Sequence, residues 1–255
     1  MSEIQLPKKF SIRDLLKRGW NIVSQNLGKI LLLELLFLLL FGLGYLLINF
    51  LFPPVNSTNV YILFLNSFFQ QALITLFSLG ATTLALKFSN FEDVKISDFF
   101  SKLKSLPNLF FATLLVGFSI LPALVVFLVP TLALLVNYHP FENTLVDLGL
   151  VLGFTLFILS VLFLATRFSL FSYFIIDQKA GIIESIKKSW TTVRGASWKV
   201  LAFIIVCALL NILGALFLGF GVLLTYPVTA IAFALLYRTL WTQSNVTVLA
   251  DERKE

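Results

Sequence analysis

The chain has 255 residues, of which 58% are hydrophobic and only 13% are Asp, Glu, Lys or Arg, and its formal net charge is +6. Soluble proteins carry about 25% charged residues, so the composition excludes an ordinary soluble domain and predicts a membrane protein. The positive charge does not indicate nucleic-acid binding, because no soluble basic domain is present to carry it.

Six apolar stretches are long enough to cross a bilayer, which takes about 20 residues of α-helix. They are Ile30–Phe52, Tyr61–Leu86, Leu109–Val136, Leu145–Thr166, Val200–Leu218 and Val222–Leu240. The segment before them lacks the short apolar core and cleavage site of a secretory signal. We therefore expect one all-α transmembrane domain over residues 1–255, with six helices arranged as three hairpins.

The basic residues indicate how these helices are oriented. Every Lys and Arg except Arg167 lies in the N-terminal segment, in the second or fourth connection, or near the C-terminal end. The connections PPVNSTN and NYHPFENT contain none. Short basic connections stay cytoplasmic, so both termini are predicted inside. The lack of a recognisable targeting peptide favours the plasma membrane of a prokaryote. Membrane lipids are the expected partners, and the charge favours anionic ones.

A charged, Trp-bearing phrase occurs twice in this apolar chain. Apolar residues in Phe10–Val23 recur every three or four positions with charged residues between them, which predicts an amphipathic helix at the membrane interface. The segment Gly181–Phe203 repeats this pattern at an offset of 170, placing Trp190 on Trp20. A weaker copy, Lys95–Lys104, lies between them.

The three copies divide the chain into parallel pseudo-repeats of about 85 residues, spanning about 10–88, 94–176 and 180–242. Each repeat begins with an amphipathic helix that precedes a hairpin. We expect Trp20 and Trp190 to lie at equivalent depths on helices parallel to the membrane, and Trp198 to be a further interfacial anchor. Convergence of basic amphipathic segments is the alternative explanation.

Two ionisable residues fall within or beside the spans, where such groups are often functional. Glu34 lies about one turn into the first span, and Arg167 follows the fourth. The favoured interpretation places the Arg167 charge at the cytoplasmic interface, with Phe168–Ile176 continuing as an interfacial segment. The alternative is an ion pair between Glu34 and Arg167 that closes the cytoplasmic end of the bundle.

The second span carries a polar stripe at helical spacing. Its members are Ser67, Gln71, Thr75, Ser78 and Thr82, and Asn66 and Gln70 widen it. Such a stripe should face other helices, where its hydroxyl and amide groups join helices by hydrogen bonds or line a polar cavity. Helix–helix contact is favoured. Pro122, Pro130 and Pro227 should kink their spans.

Few residues are suited to catalysis or metal binding. Cys207 is the lone cysteine and lies within a span, so a small apolar filler is the favoured interpretation. His139 is the lone histidine, in a polar loop beside Glu142, and no second His or Cys supports a metal site. We predict no catalytic residues, no metal and no cofactor, and hence no enzyme.

The C-terminal third carries a family resemblance in IIDQKAGIIESIKKSWTTVRGASWKVL and LLTYPVTAIAFALLYRTL. These phrases resemble a group of prokaryotic six-span proteins that includes the membrane domain attached to some glycerophosphoryl diester phosphodiesterases. The matching residues are Ala180, Ser185, Ser189, Trp190, Gly195, Trp198, Pro227, Ala230 and Tyr237. The resemblance implies a six-span architecture and no activity for this domain.

Two functions fit these patterns. The first is a non-enzymatic membrane module that acts as a scaffold, a lipid-organising element or an accessory subunit through its basic interfacial helices. The alternative is a small transporter or exporter of a hydrophobic or amphiphilic solute that uses the polar stripe and the proline-containing helices.

Overall fold

A computed structural model describes residues 10–54, 59–135, 144–216 and 221–252, and this part of the chain is helical, with no strand. Two 3₁₀ turns, Ile96–Phe100 and Leu103–Ser105, precede α4. The α-helices are α1 (Ile12–Gln25), α2 (Leu27–Leu51), α3 (Val60–Ser89), α4 (Leu106–Phe118), α5 (Leu121–Leu135), α6 (Thr144–Phe168), α7 (Phe171–Gln178), α8 (Ile182–Val193), α9 (Ser197–Leu216) and α10 (Val222–Glu252).

Six helical stretches of the described chain are long and apolar enough to cross a membrane. They are Leu27–Leu51, Val60–Ser89, Ile96–Leu128, Leu148–Gln178, Ser197–Leu216 and Val222–Asn245. The prediction of an all-α protein with six membrane-spanning helices is therefore confirmed. The architecture is that of a multi-pass membrane protein.

The third and fourth of these stretches are interrupted. Pro122 lies in the first turn of α5, directly after the break that separates it from α4. A proline in the first turn costs no hydrogen bond, because its missing N–H would have had no partner there. Pro227, by contrast, lies inside the continuous α10, which extends beyond the predicted end at Leu240.

The break between α6 and α7 is bridged by Ser189 of α8. Its hydroxyl donates to the carbonyl of Arg167 at 2.8 Å and accepts the N–H of Leu170 at 3.2 Å. These two backbone groups lie at a helix end and would otherwise lack partners. The fully buried Ser189 thus explains why the chain can turn here within an apolar core.

The segment Phe168–Ile176 lies elsewhere than predicted. Its helical part, α7, is buried from Tyr173 to Ile176 and packs against α3 and α8. An interfacial segment would keep one side against lipid. This stretch instead belongs to the protein core, a difference that its largely apolar sequence does not reveal.

The core is concentrated near the ends of the helices that adjoin the basic segments. Buried side chains come from the first half of α2, the second half of α3, and from α7, α8 and the middle of α10. Long apolar side chains of the opposite ends, such as Leu46, Phe50 and Tyr61, are exposed in the isolated chain. Lipid tails solvate such surface as well as another helix does, so no core is needed there.

The first and last basic segments are α-helices. Ser11 caps α1, and its side chain accepts the N–H of Asp14 at 3.3 Å. The helix buries Leu15, Gly19, Ile22 and Val23 and packs on α10, so closely that a Cβ on Gly19 would lie 2.8 Å from the Val228 carbonyl oxygen. Asn26 lies between the end of α1 and the start of α2 and separates the two helices.

The middle basic segment differs from the other two. Where the pattern predicts an amphipathic α-helix over Lys95–Lys104, the chain forms the two short 3₁₀ turns. Trp20 is half exposed on α1, whereas Trp190 packs under Phe163 and Phe168. The internal repeat and the equal depth of the two tryptophans stay predictions.

Candidate functional site

A groove of about 440 Å³ runs between α2, α3 and α10. Its walls are almost entirely apolar, and it is partly open, with exposed side chains at its rim. The rim includes Leu38, Ile74 and Tyr226. Small-molecule sites have volumes of about 300–1,000 Å³ and apolar walls with few polar groups, and this groove has both properties.

Phe99 projects from the 3₁₀ turn Ile96–Phe100 and lines the groove. Its ring stacks on Phe37 of α2 with centroids 3.8 Å apart and meets Phe77 of α3 edge-on at 5.3 Å. Phe41 adds a further edge-on contact with Phe77 at 5.0 Å. Four aromatic rings from three elements therefore define the shape of the groove.

Two polar contacts hold the 3₁₀ turn that carries Phe99. The carboxylate of Asp98 accepts a salt bridge from Lys87 of α3 at 2.7 Å and the backbone N–H of Lys95 at 2.8 Å. Gly80 leaves the space that the ring occupies, because a Cβ there would overlap Phe99. The phrase KISDFF thus serves to place an aromatic ring between α2 and α3.

Glu34 is the charged residue among the groove-lining side chains. It lies about two turns into α2, where the rise of 1.5 Å per residue puts it roughly 10 Å from the start of the helix. Its Oε2 is buried and has no hydrogen-bond partner among the described residues. The groove therefore combines apolar walls with one carboxyl group that is available to a ligand.

The structure does not bring Glu34 and Arg167 together. The Arg167 guanidinium lies 5.0 Å from the ring centroid of Trp190 and 5.3 Å from that of Phe163, and its Nη1 donates to the Trp190 carbonyl. Glu34 faces α3 and α10 instead. The described structure shows no ion pair between Glu34 and Arg167, whose side chains contact different helices.

The polar stripe of α3 does not share one environment. Ser67 is exposed and Thr75 is buried, and each donates to a carbonyl of its own helix, at 2.9 and 2.8 Å. Ser78 lines the groove, while Gln71 and Thr82 are half-buried. The first half of α3 has fewer neighbours than the second half, so residues one turn apart on one face meet different surroundings.

The residues that widen the stripe form a cluster with Asn49, a residue that the sequence pattern did not single out. The Asn66 amide donates to the Phe52 carbonyl at 2.7 Å and to Asn49 Oδ1 at 3.2 Å. Gln70 donates to Asn66 Oδ1 at 2.8 Å. An asparagine within the apolar sequence of α2 was the available signal. This amide cluster joins α2 to α3 by side-chain hydrogen bonds.

A second polar cluster joins α7, α8 and α10. The hydroxyl of the fully buried Tyr237 donates to Asp177 Oδ2 at 2.9 Å and accepts from Gln178 Nε2 at 3.0 Å. Lys188 donates to Gln178 Oε1 at 3.1 Å and forms a 2.7 Å salt bridge with Glu184. That salt bridge and the Gly181 N–H lower the pKa of Glu184.

The remaining predicted residues lie apart from the groove. Cys207 is buried in α9, and Trp198 is 84% exposed at the start of that helix. His139 and Glu142 fall outside the described residues. Comparison of the chain with protein-family models, with curated proteins and with solved structures gives no match. A function for this chain therefore depends on the geometry of the groove.

Proposed function

We propose that this protein is a non-enzymatic, lipid-organising membrane module that holds the acyl chain of an amphiphile in the groove between α2, α3 and α10. The observation that carries the proposal is the groove itself, which is apolar, partly open and formed by three membrane-spanning stretches. In a bilayer such a recess is filled by lipid tails, because water there would have almost no polar partners.

The carboxyl group of Glu34 supplies the polar part of the interaction. An amphiphile whose headgroup donates hydrogen bonds could partner its buried Oε2, which the protein leaves without one. The position of Glu34 near the start of α2 suits a headgroup at the cytoplasmic side, with the tail running along Phe37 and Phe41.

The wider proposal follows the sequence patterns. The basic segments favour cytoplasmic termini and attraction to anionic lipid in a prokaryotic plasma membrane. The resemblance of the C-terminal third to the membrane domain of some glycerophosphoryl diester phosphodiesterases supports the same architecture.

Photo-crosslinking tests the groove, using bilayers that contain a phospholipid with a diazirine near the end of one acyl chain. We expect cross-links to concentrate on groove residues and to fall severalfold when Ala81→Phe or Ala230→Phe fills the groove from opposite walls. Ala215→Phe is the matched control, because Ala215 is exposed on α9 outside the groove. Cross-links spread evenly over all exposed apolar residues, and unchanged in both filled variants, would refute the proposal.

A transporter is the second candidate, since Pro227, a residue type that weakens helix rigidity, also lines the groove. Liposomes containing a fluorescent amphiphile separate the two functions. Movement between leaflets that requires the protein, and that Ala81→Phe stops, would favour transport over a lipid-organising role.

A further inference from the structure

Arg167 and Arg194 meet at one backbone carbonyl. The Trp190 oxygen accepts Arg167 Nη1 at 3.4 Å and the backbone N–H of Arg194 at 3.2 Å. Arg167 lies in the last turn of α6 and Arg194 directly follows α8, so the Arg167 guanidinium and the backbone of Arg194 are close neighbours although they are distant in sequence.

No carboxylate compensates these two charges within the described chain. The salt bridges there are Lys29–Asp93, Lys87–Asp98 and Lys188–Glu184, and none involves either arginine. Two like charges held together repel each other, and an anion between them would reverse the sign of the interaction. The Trp190 and Phe163 rings lie against the Arg167 guanidinium and stabilise that cation.

The hydrogen-bonding state of Arg167 points the same way. A guanidinium has five N–H donors, and its Nε–H together with one Nη–H matches the two oxygens of a phosphate or carboxylate. The Nε of Arg167 is buried and has no hydrogen-bond partner among the described residues. The hydrogen bond to the Trp190 carbonyl at the end of α8 uses only Nη1. The pair of donors that includes Nε–H has no acceptor there.

The surroundings are those of a membrane interface. Trp198 is 84% exposed and Lys199 is exposed, both in the first turn of α9, which packs against α6. Tryptophan is enriched at headgroup depth, and basic pockets between membrane helices on the cytoplasmic side bind lipid headgroups.

We propose that Arg167 and Arg194 form a binding site for a phosphate group, supplied by the headgroup of an anionic phospholipid. Arg167 binds two phosphate oxygens through its fork, and Arg194 provides the second charge from the surface. The site is formed by α6 and α8, whereas the groove lies between α2, α3 and α10. It therefore does not depend on the function proposed for that groove.

The test is native mass spectrometry of the delipidated full-length protein in mild detergent, titrated with phosphatidylglycerol or with phosphatidylcholine. The wild type should bind phosphatidylglycerol more tightly. Arg167→Gln and Arg194→Gln should each weaken that binding about fivefold, and the double variant should bind both lipids alike. Lys187→Gln is the matched control, because it removes one positive charge from the exposed face of α8 and should leave the preference unchanged.

Two further variants or conditions complete the test. Inorganic phosphate that displaces phosphatidylglycerol and raises the Tm of the wild type, but not of the double variant, would identify free phosphate as the source of the same chemistry. Arg167→Lys keeps the charge without the fork and should recover only part of the affinity. The proposal would be overturned if Arg194→Gln bound phosphatidylglycerol as tightly as the wild type, or if Lys187→Gln weakened that binding as much as the arginine variants do. Both outcomes can be measured even if Arg167→Gln fails to fold.

Discussion

Gly80 of α3 and Phe99 of the 3₁₀ turn are in direct contact, because the ring lies where a Cβ of residue 80 would be. The contact allows Phe99 to stack on Phe37, and both rings line the groove. A hydrogen atom in place of a methyl group at one helix position thus determines the shape of the candidate site.

We expect Gly80→Ala to destabilise the protein by about 1–3 kcal/mol, the usual cost of overpacking. The decrease in Tm in detergent measures it. Gly42→Ala is the matched control, since a Cβ there meets nothing within 4 Å and alanine favours a helix. The cost should shrink in a Phe99→Leu background, where the smaller side chain can move aside. An equal cost in both backgrounds would show that the ring is not responsible.

The amide cluster predicts that Asn66→Leu lowers the free energy of unfolding by about 1–2 kcal/mol, since membrane hydrogen bonds contribute about 0.6 kcal/mol each on average. Asn66 is 5% exposed and bonds to Asn49, Phe52 and Gln70. Ser67→Ala on the next residue removes an exposed hydroxyl that bonds only its own helix and should change little. Equal losses in the two variants would contradict a role for the cluster in joining α2 to α3.

The second polar cluster predicts that Tyr237→Phe destabilises the contact between α7 and α10. The substitution keeps the buried ring and removes the hydroxyl that bonds Asp177 and Gln178, at a cost of about 1–2 kcal/mol. Tyr61→Phe serves as the control, because Tyr61 is 79% exposed. Thermal unfolding of both variants in one detergent provides the comparison. A Tm for Tyr237→Phe within error of the wild type would refute the prediction.

The salt bridge between Lys29 and Asp93 should make stability depend on pH and on salt. Lys29 bonds Asp93 at 2.6 Å and lowers the pKa of that carboxyl. Because the pKa of Asp93 is lower in the folded state, its ionised carboxylate stabilises the protein at every pH above its unfolded pKa of about 3.9. This stabilisation is lost as the pH falls through the folded pKa. Asp93→Asn should therefore have a lower Tm than the wild type at pH 7, and the difference should vanish in acid.

The same pair is exposed, so high salt should also reduce the difference between the wild type and Asp93→Asn. In a Lys29→Gln background, Asp93→Asn should cause no further decrease in Tm. A difference that persists at low pH and in high salt would show that Asp93 acts through some contact other than Lys29.

Sequence patterns predicted some elements well for a physical reason. The long apolar runs predicted six spans because a bilayer leaves the backbone no partner except its own helix. The 3.6-residue period of Phe10–Val23 likewise predicted α1, because that signal is local. Where a segment meets water on one side, its pattern of apolar and charged residues still records which side is buried.

Within the spans the sequence pattern does not show which face of a helix is buried, and only the tertiary structure decides it. Side chains facing lipid and side chains facing another helix are both apolar, so composition could not show that α7 is buried or that Phe50 is exposed. For the same reason the sequence left open whether Glu34 and Arg167 pair, whereas in the structure they contact different helices. By itself the sequence determined a six-span helical membrane protein, and packing decided that Glu34 faces a groove and that Arg167 lies against Trp190 and Phe163.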